Sequence, residues 1–426
     1  MISRRSGAAI AKYLLLVAFL GLFAGWLYWK NSYGAIGKVA RLDTSTAGYI
    51  AFVNTDTNGA SNICIVKDDG TDLKVLTSDD APKRSPCWSP DGTRLCYAQE
   101  ARTEGAATYQ LFVLGQGSPK QATYGSLSKD MPQWKPDGKQ IAFLTGGAIK
   151  VVSPNGSDME QVYPRPTRGN SPGITEGDQP PDDAEGLRRP PITWFRWSPS
   201  GASIAGVQVL EGENAAAIGQ ANWWGKQPNN GEERMAVVEP ESIVILPHLD
   251  AEPVRLPGAN RVSFGWYPDG RRIAVALETR KGRHAVLAFR TDEKDLPVAP
   301  ILTAGAYTVA AENPVVSPDG TRIAVELWRL ESIENRFPLG IAVLPAEPEK
   351  PITIETAKDI GRIPVIVGGD ARLPRWSPDG SKLLYTMVGP KGGTDIWVTK
   401  PDGSGKVNLT RGKGDNLDPV WSPASR

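Results

Sequence analysis

Few residues of this chain have types and spacings that could do chemistry, and the first that fit a catalytic motif are residues 169–173, GNSPG. This G-x-S-x-G pattern is the nucleophile elbow, in which a strained turn between a strand and a helix exposes a reactive serine. Here it lies in a segment rich in proline, glycine and charge, without a strand or helix pattern on either side. Only His248 and His284 are available as a base. We therefore expect Ser171 to have no catalytic role.

Candidate metal ligands are also sparse. Residues 54–59, NTDTNG, resemble the start of a calcium loop, but the twelfth position is Ile65, where such a loop requires a bidentate glutamate. A turn between two strands explains the segment better. The two histidines are far apart in sequence and form no zinc-ligand pattern. With no P-loop and no G-x-G-x-x-G, we expect neither a metal nor another cofactor.

The chain has three cysteines, and two of them have a spacing that could matter. Cys87 and Cys96 lie on the two arms of one predicted hairpin, close to opposite each other, whereas Cys64 has no such neighbour. In an oxidising compartment the pair could form a disulfide. Buried free thiols are the alternative, because unpaired cysteines are commonly core residues.

The turn between these two cysteines belongs to a phrase that recurs along the chain, of which PCWSPDGTRLCYA is one copy. The residue two positions before the turn proline, here called the marker, is tryptophan in six copies and valine in one. The shortest spacings between markers are 45 and 46 residues. The markers are Trp88, Trp134, Trp197, Trp266, Val316, Trp376 and Trp421. The turn residues that follow them are Asp91 and Gly92, Asp137 and Gly138, Ser200 and Gly201, Asp269 and Gly270, Asp319 and Gly320, and Asp379 and Gly380.

Each copy predicts a tight hairpin for a physical reason. Proline presets the φ of the turn's first central residue, and glycine adopts the left-handed conformation that closes it. The aspartate carboxylate is expected to accept local backbone hydrogen bonds, and the tryptophan to pack between neighbouring units. Ser200 and Val316 weaken two of the hairpins without removing them. These residues are therefore interpreted as structural and not as catalytic.

The repeat defines the fold class. Thirteen Trp, 45 Gly and 36 Pro suit many short strands joined by tight turns, and we expect an all-β protein. A unit of four short strands repeated at this spacing predicts a β-propeller. The last marker is followed by only five residues, whereas residues 48–77 hold three strand patterns without a marker. We expect the C-terminal strand to join these three in a seven-bladed ring; a six-bladed ring is the alternative.

These repeats resemble the TolB-type propeller repeats, a WD-like family whose hallmark is W-S-P-D-G followed by a short apolar strand. The resemblance covers residues 48–426. TolB proteins are periplasmic and carry an α/β domain before the propeller, for which residues 31–47 are too short. The resemblance therefore implies the propeller module only, and the Tol-Pal partnership is not carried over.

The N-terminus predicts a membrane anchor. Residues 13–29 are an uncharged apolar run of 17 residues, close to the lower limit for a membrane-spanning helix. Basic residues are more frequent before the run than just after it, which predicts a cytoplasmic stub over 1–12, a linker over 30–47 and an extracytoplasmic propeller. The alternative is a cleaved signal peptide.

Two insertions interrupt the repeat, at 164–190 and at 211–236. The first has the composition of a surface loop. The second contains Trp223 and Trp224 side by side in polar company, and they could form a binding edge or hold the loop on the propeller.

The leading functional hypothesis is a membrane-anchored propeller that binds a protein or a cell-envelope component without catalysing a reaction. The alternative is a propeller enzyme, such as a lyase or hydrolase, or a small-ligand receptor that uses the central channel; it predicts polar and charged groups at the channel mouth. With 48 basic against 47 acidic residues, no general basic field exists to attract nucleic acid.

Overall fold

A computed structural model describes Leu42 and residues 46–103, 106–163, 192–208, 234–239, 242–246, 259–279, 283–291, 298–332, 335–389 and 392–423. This part of the chain is almost entirely β-structure. One 3-10 helix, Ala357–Arg362, is the exception.

The strands are short, as the closely spaced turn signals predict. In the first half of the chain they are β1 (Tyr49–Thr55), β2 (Ser61–Lys67), β3 (Lys74–Val75), β4 (Lys83–Trp88), β5 (Leu95–Thr103), β6 (Ala106–Leu114), β7 (Lys120–Gln121), β8 (Asp130–Trp134), β9 (Ile141–Thr145), β10 (Ala148–Val152), β11 (Glu160–Tyr163), β12 (Ile192–Trp197), β13 (Ser203–Gln208), β14 (Arg234–Glu239) and β15 (Ser242–Leu246). In the second half they are β16 (Ala259–Trp266), β17 (Arg272–Thr279), β18 (His284–Arg290), β19 (Val298–Ala304), β20 (Val309–Val316), β21 (Arg322–Leu330), β22 (Arg336–Pro345), β23 (Ile352–Ile354), β24 (Val365–Gly368), β25 (Ala371–Trp376), β26 (Leu383–Val388), β27 (Thr394–Thr399), β28 (Val407–Asn408) and β29 (Asp415–Trp421).

The strands form seven sheets, one for each copy of the repeat. Sheet 1 has the order β29-β1-β2-β3, and sheets 2 and 3 run from β4 to β7 and from β8 to β11. Sheet 4 runs from β12 to β15, sheet 5 contains β16 to β19 and β23, sheet 6 has the order β20-β21-β22-β24, and sheet 7 runs from β25 to β28. The C-terminal strand pairs antiparallel with β1, so that Ile50 faces Trp421. The described residues therefore have seven sheets, not six.

Hydrophobic side chains fill the space between consecutive sheets, because alternate residues of each strand point to opposite faces. Between sheets 7 and 1, for example, Leu384 and Ile396 form one buried cluster with Ile50 and Phe52. Such clusters also join sheet 1 to sheet 2 and sheet 5 to sheet 6. Each sheet thus buries both faces against its neighbours, as a blade in a propeller does.

The first strands of sheets 1 to 7 are β29, β4, β8, β12, β16, β20 and β25. The turn that follows a first strand packs on the corresponding turn of the preceding sheet. Gly380, with φ of 70°, lies against Pro318, and a Cβ there would come within 3.4 Å of the proline Cδ. The same contact joins Gly92 to Pro423, Gly138 to Pro90, Gly201 to Pro136, Gly270 to Pro199 and Gly320 to Pro268. The turns therefore share one end of the assembly, which we call the turn face. The first strands begin at the other end, the front face.

Two sheets depart from the simple pattern of four antiparallel strands. In sheet 4, β14 pairs parallel with β13, which the long connection between them permits. In sheet 5, β23 adds a fifth strand parallel to β19, before the chain returns through the 3-10 helix to β24 in sheet 6. β14 begins at Arg234, within the predicted insertion 211–236.

The predicted membrane anchor requires correction. In the part of the chain that the structure describes, no helix has the length and apolar character needed to cross a membrane, and residues 13–29 lie outside that part. The prediction of a single-pass membrane protein is therefore wrong; a run of 17 apolar residues is only at the lower limit of a span. Most of the predicted linker also lies outside, but Leu42 is buried in the cluster between sheets 1 and 2.

Candidate functional site

The repeated aspartates stabilise the turns in which they lie. Asp319 Oδ1 accepts hydrogen bonds from the Ser317 hydroxyl at 2.5 Å and from the Thr321 N–H at 3.0 Å. Asp91, Asp137, Asp269 and Asp379 also accept a backbone N–H two residues ahead. Hydrogen bonds from the serine and threonine lower the pKa of Asp319 to about 2. The geometry of these carboxylates is that of turn formation.

The marker residues lie between sheets. Trp376 is buried, its Nε1 donates to the Val315 carbonyl at 2.8 Å, and the Arg322 guanidinium lies 4.8 Å from its ring centroid. Trp88, Trp134 and Val316 are buried, and Trp197, Trp266 and Trp421 are half-buried. Their contacts are with neighbouring sheets, as inter-blade packing requires.

Cys87 and Cys96 are directly paired across strands β4 and β5, in the register that the sequence predicts. Both are free thiols. Burial, followed by the neighbouring Cys87, raises the pKa of Cys96 well above its ordinary value. Burial also raises the pKa of Cys64, to about 12. Thiolates are therefore disfavoured at both sites, and the disulfide between Cys87 and Cys96 stays an untested alternative to free thiols.

Most of the residues that the sequence suggests for catalysis or binding lie outside the part of the chain that the structure describes. Ser171, His248, Trp223 and Trp224 all lie outside the described residues. His284 is buried at the start of β18. Asp56, in the segment that resembles a calcium loop, accepts the N–H groups of Asn58 and Ala60 and so forms an ordinary turn. Among the described residues, no group of three His, Cys, Asp or Glu side chains could hold a metal.

Five of the first strands contain a bulge three residues before the marker, which the turn motifs do not predict. Ser85, Met131, Asn313, Leu373 and Asp418 each have φ between 49° and 53° and precede a proline. Because the bulge interrupts the hydrogen bonds between the first and second strands, the N–H of the left-handed residue can donate to a group outside its own sheet. The Ser85 N–H donates to Asp418, the Asn313 N–H to Ser263 and the Leu373 N–H to Glu326. All three bonds join one sheet to the next. An alignment of the repeats would have shown the recurring proline two residues before the marker.

Charged groups lie next to several of these bulges on the front face. An ion pair joins Arg84 to Asp130, and Arg336 donates to Glu312 at 2.7 Å. Glu326 is buried and accepts from the Asn313 amide at 2.9 Å. Burial is the largest influence on Glu326 and raises the pKa of its carboxyl. Charged side chains thus lie beside the bulges of sheets 2 and 3 and of sheets 6 and 7.

Two cavities open on the front face. One, of about 290 Å³, lies among sheets 4, 5 and 6 and is lined by Val207, Leu277, Glu278, His284, Glu312 and Asn313. The other, of about 460 Å³, lies among sheets 2, 3 and 4 and is lined by Arg84, Ser85, Leu127, Asp130, Met131 and Thr145. Both are large enough for a side chain or a small ligand.

Exposed large hydrophobic side chains are concentrated on the front face. Leu373 is 42% exposed and Leu417 is 41% exposed, both near the start of a first strand. Among the described residues, those on this face are Tyr124, Met131, Tyr307, Phe337, Leu373, Val388 and Leu417, whereas Leu73, Met159, Val298 and Val365 are on the turn face. In the part of the chain that the structure describes, the front face therefore has more exposed large hydrophobic side chains.

The seven sheets define the chain as a β-propeller, and comparison with solved structures agrees. A prolyl endopeptidase structure has a TM-score of 0.51 and 11% identity, covering 85% of this chain and 48% of that one. TolB from Acinetobacter baumannii is also among the similar structures, with a TM-score of 0.44 and 14% identity over 93% of this chain and 70% of that one. The similarity to the prolyl endopeptidase structure, with a TM-score above 0.5, supports a shared fold and no more. No family model matches the sequence.

Among curated proteins, the chain is similar to the uncharacterized peptidase YuxL of Bacillus subtilis (strain 168). The two are 28% identical over 150 residues, which is 33% of this chain and 20% of the relative. The match therefore spans only a fifth of the relative's length.

Proposed function

We propose that this protein is a non-catalytic β-propeller that binds a protein partner through its front face. The observation that carries the proposal is the exposure of Met131, Leu373 and Leu417 near the starts of three first strands, all on the front face. Protein interfaces take large hydrophobic side chains as their central contacts. The charged groups beside the bulges of the same face add the polar contacts by which an interface selects its partner.

The chain connectivity supports the same face. The segment between β11 and β12 and the segment after β13 both leave the described structure from strand ends on the front face. These are the two predicted insertions, and the second includes Trp223 and Trp224. We propose that this tryptophan pair contributes to the same interface, since aromatic residues are enriched at the centres of binding sites.

The test compares matched substitutions on the two faces. Leu373→Asp and Leu417→Asp place a charge on the front face, and Val365→Asp and Met159→Asp place one at similarly exposed positions of the turn face. Each tagged protein is purified from its native cells, and the proteins bound to it are quantified by mass spectrometry. We expect one stoichiometric partner to be lost from both front-face variants and retained by both controls. Equal retention by all four variants would reject the proposal.

The similarity to a peptidase favours a second candidate function, in which the propeller is part of a peptidase. The specific observation is the 28% identity to YuxL over 150 residues. A fluorophosphonate probe, which labels activated serines, tests this candidate on the purified full chain. Labelling that disappears in Ser171→Ala would favour the peptidase, and no labelling favours the binding protein.

A further inference from the structure

The larger of the two front-face cavities, of about 460 Å³, is lined by an ion pair and by hydroxyl groups. The ion pair joins Arg84 of β4 to Asp130 of β8, and so connects sheet 2 to sheet 3. The hydroxyl groups belong to Ser85, Ser128 and Thr145. Among the described residues that line this cavity, no other side chain is charged. The two charges of its walls therefore cancel.

The ion pair is held in position and is still accessible. The Arg84 guanidinium lies 3.5 Å from the ring centroid of Tyr109, a cation–π contact that orients it. The backbone beside it is also fixed, because the Ser85 N–H donates to Asp418 at 2.8 Å. The Arg84 side chain is 39% exposed and the Asp130 side chain is 36% exposed. A ligand in the cavity can therefore reach a donor and an acceptor that lie side by side.

Polar groups of this cavity are not all satisfied within the protein. Thr145, the last residue of β9, is only 5% exposed, and its Oγ1 has no hydrogen-bond partner among the described residues. The same is true of Arg84 Nε. A buried polar group without a partner is unfavourable, because it has lost water and gained no bond in return. A ligand that supplies hydrogen-bonding groups here would remove this cost.

The rest of the wall is uncharged. Gly146 and Gly147 form the turn between β9 and β10 with φ of 56° and 79°, and a ligand can approach their backbone because no side chain covers it. Leu127, Met131 and Ile192 supply apolar surface. The cavity thus combines a balanced set of polar groups with an apolar wall, as binding sites for small molecules do.

We propose that this cavity binds a neutral sugar residue through Arg84, Asp130 and Thr145. A charged ligand would have to displace one partner of the ion pair and leave the other uncompensated. Each sugar hydroxyl both donates and accepts, so adjacent hydroxyls can accept from Arg84 and donate to Asp130. The N–H and C=O of a trans peptide point in opposite directions, so one peptide unit cannot bond both partners of the ion pair. The volume of the cavity is within the usual range for small-ligand sites, about 300–1,000 Å³.

Titration of the purified full chain with free sugars, followed by saturation-transfer NMR of the ligand, tests the proposal. The probes are glucose, galactose, mannose and N-acetylglucosamine, and an uncharged peptide, acetyl-trialanine amide, represents the rival ligand class. We expect saturable binding of at least one sugar and none of the peptide. No protein partner is present in this measurement, so its failure would leave the proposed docking on the front face intact.

Substitutions of the ion pair should weaken sugar binding strongly. Arg84→Gln and Asp130→Asn each remove a charge-assisted hydrogen bond, and we expect a loss of about 10- to 100-fold in affinity. Glu347→Gln is the matched control, because it removes the carboxylate of an ion pair with Arg272 that lies outside the cavity lining. It should bind sugar as the unmodified protein does.

Thr145→Val separates binding from stability. Valine has nearly the same shape and removes a buried hydroxyl that has no partner among the described residues, so the melting temperature should be unchanged or higher. Sugar affinity should nevertheless fall about 2- to 10-fold, the loss of one neutral hydrogen bond. The proposal is overturned by the absence of binding to all of the sugars, by tighter binding of the peptide, or by unchanged affinity in folded Asp130→Asn and Thr145→Val.

Discussion

The carboxylate of Asp418 accepts a hydrogen bond at 2.8 Å from the backbone N–H of Ser85, 333 positions earlier in the chain. Asp418 is in the C-terminal strand β29, and Ser85 is the left-handed residue of the bulge in β4. The bond therefore joins sheet 1, which contains both the first and the last strands, to sheet 2. It stabilises the ring at the place where the two ends of the described chain meet.

Removing this carboxylate should destabilise the propeller. Asp418→Ala leaves the Ser85 N–H without its partner in a partly buried position, and we expect a loss of about 1–2 kcal/mol in the free energy of unfolding. Asp418→Asn should lose less, because its amide oxygen still accepts the bond. Urea denaturation of the three proteins measures the difference. Equal stability of Asp418→Ala and the unmodified protein would show that this bond contributes nothing.

The repeated turn aspartates predict how stability depends on acid. Hydrogen bonds from Ser377 and Ser381 lower the pKa of Asp379 to about 2, below its value in the unfolded chain. A folded-state pKa below the unfolded one stabilises the protein above the unfolded pKa, and this contribution is lost as the pH falls toward 2. Asp379→Asn should therefore show a shallower loss of melting temperature between about pH 4 and pH 2. Glu349→Gln, which removes an exposed carboxylate elsewhere, should keep the slope of the unmodified protein.

Trp376 should be among the most costly residues to truncate. It is buried between sheets 6 and 7, donates a hydrogen bond to Val315 and stacks with Arg322. We expect Trp376→Ala to lower the free energy of unfolding by about 3–5 kcal/mol, and Trp376→Phe to lose less because most of the packing is retained. Chemical denaturation provides both values. A cost below about 1 kcal/mol for the alanine variant would contradict the packing role.

Much of the fold could be predicted from the sequence, because each turn motif has a local physical cause. The seven sheets and the pairing of the last strand with β1 follow from the spacing of Trp88, Trp376 and the other markers. The transfer of β23 to sheet 5 has no local signal, because its pairing partner is chosen by tertiary contacts. The same limit applies to the polar contacts of the front face. No sequence pattern predicts the role of Glu326, because its carboxylate accepts the N–H of Leu373 in the next sheet only once the sheets are packed together.

The cysteine pair provides a further test. Because Cys87 and Cys96 face each other across two strands, oxidation could join them, although burial disfavours the thiolate that the reaction requires. Since both are free thiols in this structure, we expect denatured protein without reductant to release three thiols to a thiol reagent. In the native protein the reaction should be much slower. A count of one free thiol under denaturing conditions would instead establish the disulfide.

The central claim is that a partner binds the front face, and site-specific photocrosslinking in native cells tests it most directly. The crosslinker benzoylphenylalanine replaces Tyr124 or Tyr307 on the front face and Val298 or Met159 on the turn face, all of them exposed. We predict that both front-face positions crosslink to the same protein and that neither turn-face position does. Crosslinks from the turn face alone, or from no position on the front face, would contradict the account.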